Sequence, residues 1–533
     1  MSQDAASRPR LSVAMIVRNE QDLLAESIAS VQGIADEIVV LDTGSTDQTT
    51  AMARRLGAVV AEAPWTDDFS AARNRCLEMV SGDWVLWLDA GERLAEDSAA
   101  ELRRFVDREA ELGTAYMLLV QVPPPDTIAS GEQVALPRLM PHRADLRFEG
   151  RVRETLRPSI EAAGLGVAAA PGQIIRNRRQ HDRAVKTFKA HRDLELATRE
   201  IAETGRCPVR LLLAMGEAYN NLSLPDQART AFQQAIQVAE KGSSDMLEAY
   251  YGLLTALDGD PFLCGFPLNV CLEALEIFPF DAQLLLAMGN YLQKQQHLEL
   301  AGRAFDTAVQ YGQADPTIWH LSELGEVAAV CLSLILQMRN LDDEAGRVLV
   351  ETLQRHPHSI RVLRHLLELH VKHARCDEAL AVADRLALKP EQREPLRTAI
   401  RGACKAAQRD WIAALGDLEH AYLAGCHDPF LLRWLSMTHL SQGQVHAAQP
   451  VLAEWQQLEP NNGELQSYLA VLQDYTQAAP AAPSSAEEQR TGEPTEADSP
   501  ARMLRIDAGA AIQQAVPPQS PVVSQMSSVD VPV

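Results

Sequence analysis

The first third of the chain alternates short apolar runs with amphipathic stretches. Residues 11–17 are mostly apolar, as a parallel strand covered on both faces should be. Leu23, Leu24, Ile28 and Val31 follow at helical spacing. A second apolar run at 38–41 leads to a helix through 52–56, with Ser45 or Thr46 as its cap and Gly57 past its end. Residues 58–61 read as a third strand, 69–80 as a helix stopped by Ser81-Gly82, and 84–88 as a fourth, fully apolar strand. Strands joined by helical crossovers predict a Rossmann-like, mostly parallel α/β sheet. Residues 116–122 and 134–140 look like further strands, separated by Pro123-Pro124-Pro125.

From about residue 208 the strand signals stop. Leu212, Met215, Gly216, Tyr219, Ala228, Phe232 and Ala235 fall at the spacing of two packed helices, the small residues letting them approach. Leu285, Met288, Gly289, Ala301, Phe305 and Ala308 repeat the pattern. Ser333, Leu367, Gly402 and Ser436 then advance by a period of ~34 residues. These repeats resemble tetratricopeptide (TPR) units and imply an all-α solenoid over 208–476, with an extended concave surface for a partner. Residues 243–280 fit the repeat poorly. His370 and His373 share a helix face without a further ligand beside them, so scattered surface histidines are the simpler reading. After Thr476 the composition turns to Ala, Pro, Ser, Gln and Glu, and 477–533 is expected to be a disordered tail.

Length and charge narrow the function. A chain of 533 residues exceeds one core. A formal charge of −23 opposes general binding to nucleic acid or anionic membranes. The start, MSQDAASRPR, lacks the basic-then-apolar order of a signal peptide, and no apolar run is long enough for a membrane span. The expectation is a cytoplasmic protein with free, buried thiols among its eight scattered cysteines.

Polar groups collect at the carboxyl ends of successive strands. They are Arg18-Asn19-Glu20, Asp42-Thr43-Gly44-Ser45-Thr46-Asp47 and Asp89-Ala90-Gly91-Glu92, with Ala72-Arg73-Asn74 early in the helix before the last of these strands. In an open parallel sheet that edge binds ligands. Asp42 suits hydrogen bonds from a base or ribose, or else an Asx-turn before Gly44. Arg73 suits an anionic group, or else pairs with Asp67 or Asp68 on the surface. Asp89, directly after an apolar strand, needs a partner or caps the next helix.

The order and content of these motifs resemble the inverting family 2 glycosyltransferases with the GT-A fold, over about the first third of the chain. The resemblance implies a GT-A domain at 10–180, and the basic residues after it read as a helical linker at 181–207. It implies a nucleotide-sugar donor, with Asp42 on the nucleobase, Arg73 on the donor and Arg18 or Glu20 lining the base pocket. Glu20 can instead complement a helix N-terminus. Asp89 corresponds to the DxD region, where carboxylates hold Mg²⁺ or Mn²⁺ against the diphosphate. This chain has Gly91 at the usual second Asp, Arg153 where the family often has His, and Arg176 and Asn177 where a late His is expected, with His181 as a substitute. The metal site therefore reads as weakened.

Inverting transfer needs one carboxylate to take the acceptor's proton. Glu154 is the candidate, with Glu92 and Glu149 as rivals and pairing with Arg151 or Arg157 as the alternative role. Residues 176–192 are strongly basic, and Arg176, with Arg153 or Arg178, is a candidate to replace the cation at the leaving diphosphate. Otherwise they form a solvated helix face between the domains. The acceptor implied is a protein or peptide presented by the solenoid. The alternative is a binding scaffold whose GT-A domain has lost turnover.

Overall fold

The computed structural model describes residues 8–124, 130–177, 182–258, 265–460 and 462–478. Arg178, Arg179, His181 and almost all of the expected tail lie outside the described residues. Two compact units are present. One takes the chain up to Tyr291 together with Gln310–Leu324, and the other takes Leu292–Val309 and the chain from Gly325.

The first unit is built on a nine-stranded sheet. Its strands are β1 (Leu11–Val17), β2 (Glu37–Asp42), β3 (Val59–Glu62), β4 (Trp84–Trp87), β5 (Glu92–Leu94), β6 (Thr114–Val122), β7 (Glu132–Pro141), β8 (Gly166–Arg176) and β9 (His320–Leu321). The order is β3-β2-β1-β4-β7-β6-β8-β5, with β9 added to β7. β3, β2, β1 and β4 are parallel. β7 runs against both β4 and β6, which makes the sheet mixed. The helices α1 (Leu24–Val31), α2 (Thr49–Arg55), α3 (Phe69–Leu77), α4 (Ser98–Arg108) and α5 (Arg157–Ala162) are interleaved with these strands. β1 and β4 are buried almost throughout, which is why they read as unbroken apolar runs. One packed layer holds Leu11, Val13, Ile28, Trp84 and Leu102, and another holds Ala14, Val39, Cys76 and Trp87.

Neither Ser45 nor Thr46 caps α2. The Ser45 hydroxyl accepts from the Asn19 backbone (2.8 Å), and the Thr46 N–H donates to Asn19 Oδ1 (2.8 Å), so this loop is tied to the end of β1. α3 has a true cap, since Asp68 accepts from the Ala71 N–H at 2.9 Å. β5, β8 and α4 were not among the expected elements.

α6 (Arg183–Thr204) occupies the segment expected to be a linker. Its Leu196 and Ala197 pack with Val152, Leu211 and Ala214. The repeat helices begin with α7 (Val209–Asn221) and α8 (Pro225–Val238), and continue with α9 (Ser244–Leu257), α10 (Phe266–Ile277), α11 (Ala282–Lys294) and α12 (Leu298–Tyr311). Residues 243–280 thus hold a helix pair despite their poor fit to the repeat. Gly216 and Gly252 both face Phe232, where a Cβ would come within 2.7 Å and 2.3 Å of ring carbons. The pattern of small residues therefore has a steric cause.

Between α12 and α13 (Leu324–Met338) the chain leaves the helical pattern and forms β9. Glu132 pairs with Leu321 and Gln133 with His320, on the flank of β7 that β4 covers further along. The second unit continues the repeats with α14 (Asp342–Arg355), α15 (Ile360–Lys372), α16 (Cys376–Ala383), α17 (Pro390–Ala407), α18 (Trp411–Leu423), α19 (Pro429–Ser441), α20 (Val445–Leu458) and α21 (Gly463–Ala478). The repeat positions Ala345, Leu349, Leu363, Ala379, Ala414, Leu418 and Leu452 are buried.

Candidate functional site

The expected strand-end residues meet on one edge of the sheet. β2 and β4 flank β1, with Val17 opposite Asp42 and Ala14 opposite Trp87. Asp42 and Asp89 therefore stand roughly 10 Å apart, two strand spacings. Asp42 is 2% exposed. Its Oδ1 accepts from the Gly44 and Ser45 N–H groups at 2.9 and 2.8 Å, an Asx-turn, while its buried Oδ2 has no hydrogen-bond partner. The Asx-turn considered for Asp42 thus takes one oxygen and leaves the other unpartnered. Arg18 is exposed and Glu20 half-buried at the same edge. The Glu20 N–H donates to the Thr49 hydroxyl at 2.8 Å.

Beside them lies a charged cluster. Asp89 Oδ1 accepts from Arg73 Nη1 (3.0 Å) and Trp87 Nε1 (2.8 Å). Its Oδ2 accepts from Arg138 Nη2 (3.0 Å), with Arg176 Nη2 at 4.0 Å. Glu92 Oε1 accepts from Arg138 (2.8 Å) and from Arg176 Nε and Nη2 (3.0 and 2.7 Å), and Oε2 accepts from the Asp89 N–H. Arg73 Nε donates to Glu154 Oε1, and its guanidinium lies 4.6 Å from the Trp87 ring and 5.2 Å from that of Phe148. Three guanidinium groups and three carboxylates are thus interleaved. The sheet brings them together. Glu92 pairs with Arg176 across β5 and β8, and Arg138 lies on β7 just where β4 ends.

Several expected roles change. Arg73 pairs with neither Asp67 nor Asp68 but with Asp89 and Glu154. Glu92 is 1% exposed, and both of its oxygens accept hydrogen bonds, Oε1 from Arg138 and Arg176 and Oε2 from the Asp89 N–H. Glu149 is exposed. Arg153 leaves the cluster, because it adopts a left-handed φ of 49° and pairs with Glu248 (2.5 Å) on α9 and Glu217 (3.8 Å) on α7. Arg151 pairs with Glu203 and Arg157 with Glu161, so neither holds Glu154. The loop before Glu154 is cradled by helices: Arg210 Nη1 donates to the Val152 carbonyl (3.0 Å), and the Arg151 N–H donates to Glu200 (2.9 Å).

The cluster drives two carboxyl groups in opposite directions. Burial opposes the charge of Asp89, but Arg73, Arg138 and Arg176 outweigh it and hold its carboxyl far below the usual range. Burial pushes Glu154 up, Asp89 adds to the rise, and Arg73 only partly offsets it. Glu154 Oε2 is buried without a hydrogen-bond partner, as are Arg138 Nε and Arg176 Nη1. A carboxylate gripped at one oxygen and unpartnered at the other, with a raised pKa, has the form of a general base. Arg176 and Glu92 also line a cleft of about 350 Å³ with Leu23, Ser27, Gly91 and Asn177.

Residues 12–121 match the family model for glycosyl transferase family 2. The chain carries a family 2 glycosyltransferase domain. It is 39% identical over 157 residues to a TPR repeat-containing protein of Synechococcus elongatus, covering 30% of this chain and 38% of that protein. It is 38% identical over 113 residues to an uncharacterized glycosyltransferase of Rickettsia conorii, covering 20% of this chain and 39% of the relative. The chain thus spans less than two fifths of the length of either relative. A solved tetratricopeptide repeat protein from Parabacteroides merdae is similar at a TM-score of 0.37 and 13% identity, covering 50% of this chain and 98% of that one.

In the glycosyltransferase domain, the Mg²⁺ or Mn²⁺ implied by the resemblance does not fit the donor set. Both oxygens of Asp89 already accept hydrogen bonds, Gly91 offers no side chain, and three guanidinium groups would repel a dication. Among the described residues no group of three or more His, Cys, Asp or Glu side chains is placed to hold a metal. No helix among them is long and apolar enough to cross a membrane.

Proposed function

We propose that this protein is an inverting glycosyltransferase that moves a sugar from a nucleotide donor to a protein or peptide presented by the helical repeats. The observation that carries the reading is the pair Asp89 and Glu154, which share Arg73 while their pKa values are pushed apart. Asp89 stays ionised and fixes the arginines. Glu154 takes the proton from the acceptor hydroxyl or thiol. The acceptor atom then bonds to the anomeric carbon as the bond from that carbon to the phosphate oxygen breaks, and the nucleoside diphosphate departs with the bonding pair. Arg176, at the wall of the cleft, and Arg138 neutralise the charge that develops there, in place of a divalent cation. Asp42 Oδ2 is free to accept from the nucleobase or ribose.

A screen of nucleotide sugars for hydrolysis, run in EDTA and in Mn²⁺, tests this. Turnover of at least one donor is expected in EDTA, with loss in Arg176→Ala. A strict requirement for Mn²⁺ overturns the metal-independent part. The second reading, a protein-binding scaffold without turnover, draws support from the engagement of Asp89 and Glu92 by arginines, and predicts no hydrolysis of any donor.

A further inference from the structure

We infer that the segment joining two repeat helices, residues 313–322, is a working part of the donor site, with Trp319 as a positioning residue for Arg176. The inference rests on Arg176 meeting the donor diphosphate. Trp319 is 4% exposed and belongs to the buried hydrophobic cluster that one face of the glycosyltransferase sheet builds with α1 and α4. Its indole ring lies 5.3 Å from the Arg176 guanidinium carbon. On its edge, that guanidinium gives two hydrogen bonds to Glu92 Oε1. An edge held by a carboxylate and a face held by an aromatic ring fix a planar group in two independent directions. Nη1 is the nitrogen left without a partner. The ring therefore sets where the remaining donor sits.

The segment is itself anchored so that it can do this. The Ala135 N–H donates to the Pro316 carbonyl at 2.6 Å, and the Ser322 N–H donates to the Gly131 carbonyl at 2.9 Å. Asp315 accepts from the hydroxyls of Ser244 (2.5 Å) and Thr317 (2.6 Å), which ties the segment to the start of α9. A surface loop linking two helices would need none of these bonds. Their effect is to hold Trp319 against the donor site from the helical part of the chain.

The test compares two substitutions of similar bulk. Trp319→Phe keeps a ring face and Trp319→Leu does not, while both leave some of the indole volume empty. Binding of UDP and GDP is measured in EDTA by calorimetry on the full chain, with melting temperature followed in parallel. For whichever nucleotide the wild type binds, Trp319→Leu is expected to weaken binding about tenfold and Trp319→Phe less than about threefold, the range for loss of a desolvated cation–π contact. In an Arg176→Ala background, Trp319→Leu should have no further effect, because its influence passes through the arginine. Equal affinities for the Leu and Phe variants, or additive losses with Arg176→Ala, overturn the positioning role and leave the donor-site reading standing. If the wild type binds neither nucleotide, the donor-site reading falls and the inference falls with it.

Discussion

Replacing Glu154 by Gln isolates the chemistry from the architecture. The side chain is 2% exposed, with Oε1 held by Arg73 and Oε2 unpartnered. Glutamine keeps a carbonyl oxygen for the Arg73 N–H and places an amide where Oε2 stood. Arg73 also keeps Asp89 at 3.0 Å and the rings of Trp87 and Phe148. The structural loss is then one charge-assisted hydrogen bond weakened to a neutral one, about 1 kcal/mol. It is partly offset because a buried carboxylate no longer needs to stay ionised. The loss of a general base is typically 10²- to 10⁴-fold in rate, or about 3–5 kcal/mol at 1.36 kcal/mol per decade. The expected result is kcat for donor hydrolysis down at least 100-fold, with donor binding changed less than about threefold. Water stands in for the acceptor in this assay, with the donor identified by screening. A base must be ionised, and burial raises the Glu154 pKa, so kcat should fall with acid at a pH above the ordinary carboxylate range. That limb should vanish in the variant. Retention of more than about a tenth of wild-type kcat, or an unchanged acid limb, refutes the assignment.

Two further outcomes follow from the helices of the first unit. Asp281 is buried, accepts from the Tyr251 hydroxyl (2.7 Å) and the Leu284 N–H (2.8 Å), and has its pKa raised from 3.8 to about 6, chiefly by burial. A shift of about 2 units corresponds to roughly 3 kcal/mol. Because the folded-state pKa is the higher one, this stability is fully present below about pH 4 and is lost as pH rises through about 6. Asp281→Asn should therefore stabilise the protein more at pH 7.5 than at pH 4.5 in urea denaturation, and an equal effect at both refutes the argument. Gly252→Ala would place a Cβ 2.3 Å from the Phe232 ring, so overpacking of about 1–3 kcal/mol should outweigh the helix propensity gained. A melting temperature at or above wild type contradicts this.

The four parallel strands were legible because each is a short apolar run bounded by turn residues, and the repeat helices because their small and large residues recur at one period. Asp42 and Asp89 were legible as strand-end polar groups, and Arg73 as a charge early in the helix between them. Arg138 was not. It sits as a lone charge inside an otherwise apolar stretch, and only pairing of β7 with β4 brings it to Asp89. β8 includes the run Gly166-Val167-Ala168-Ala169-Ala170-Pro171-Gly172, which carries little strand propensity. Its register opposite β5 is what delivers Arg176 to Glu92. Arg153 misled because its neighbour Glu154 enters the cluster while the left-handed backbone turns Arg153 toward α7 and α9. Trp319 lacked any signal of its own, since a few apolar residues among helices look like a helix end.

The pairing of β9 with β7 also sets a timetable for synthesis. The flank of Glu132 and Gln133 that β9 covers waits for His320 and Leu321, about 190 residues further along the chain. At bacterial-like elongation rates of about 5–20 residues per second, that is an interval of roughly 10–40 seconds. During it the nascent chain has every strand of the parallel half but neither the indole that packs into the core nor the strand that closes the flank. Nascent chains arrested before residue 320 should remain sensitive to protease within β7, and become resistant once residue 322 has cleared the ribosome. The sheet of the first unit is then completed only after the ribosome has delivered the several helices that lie between β8 and β9 in the chain.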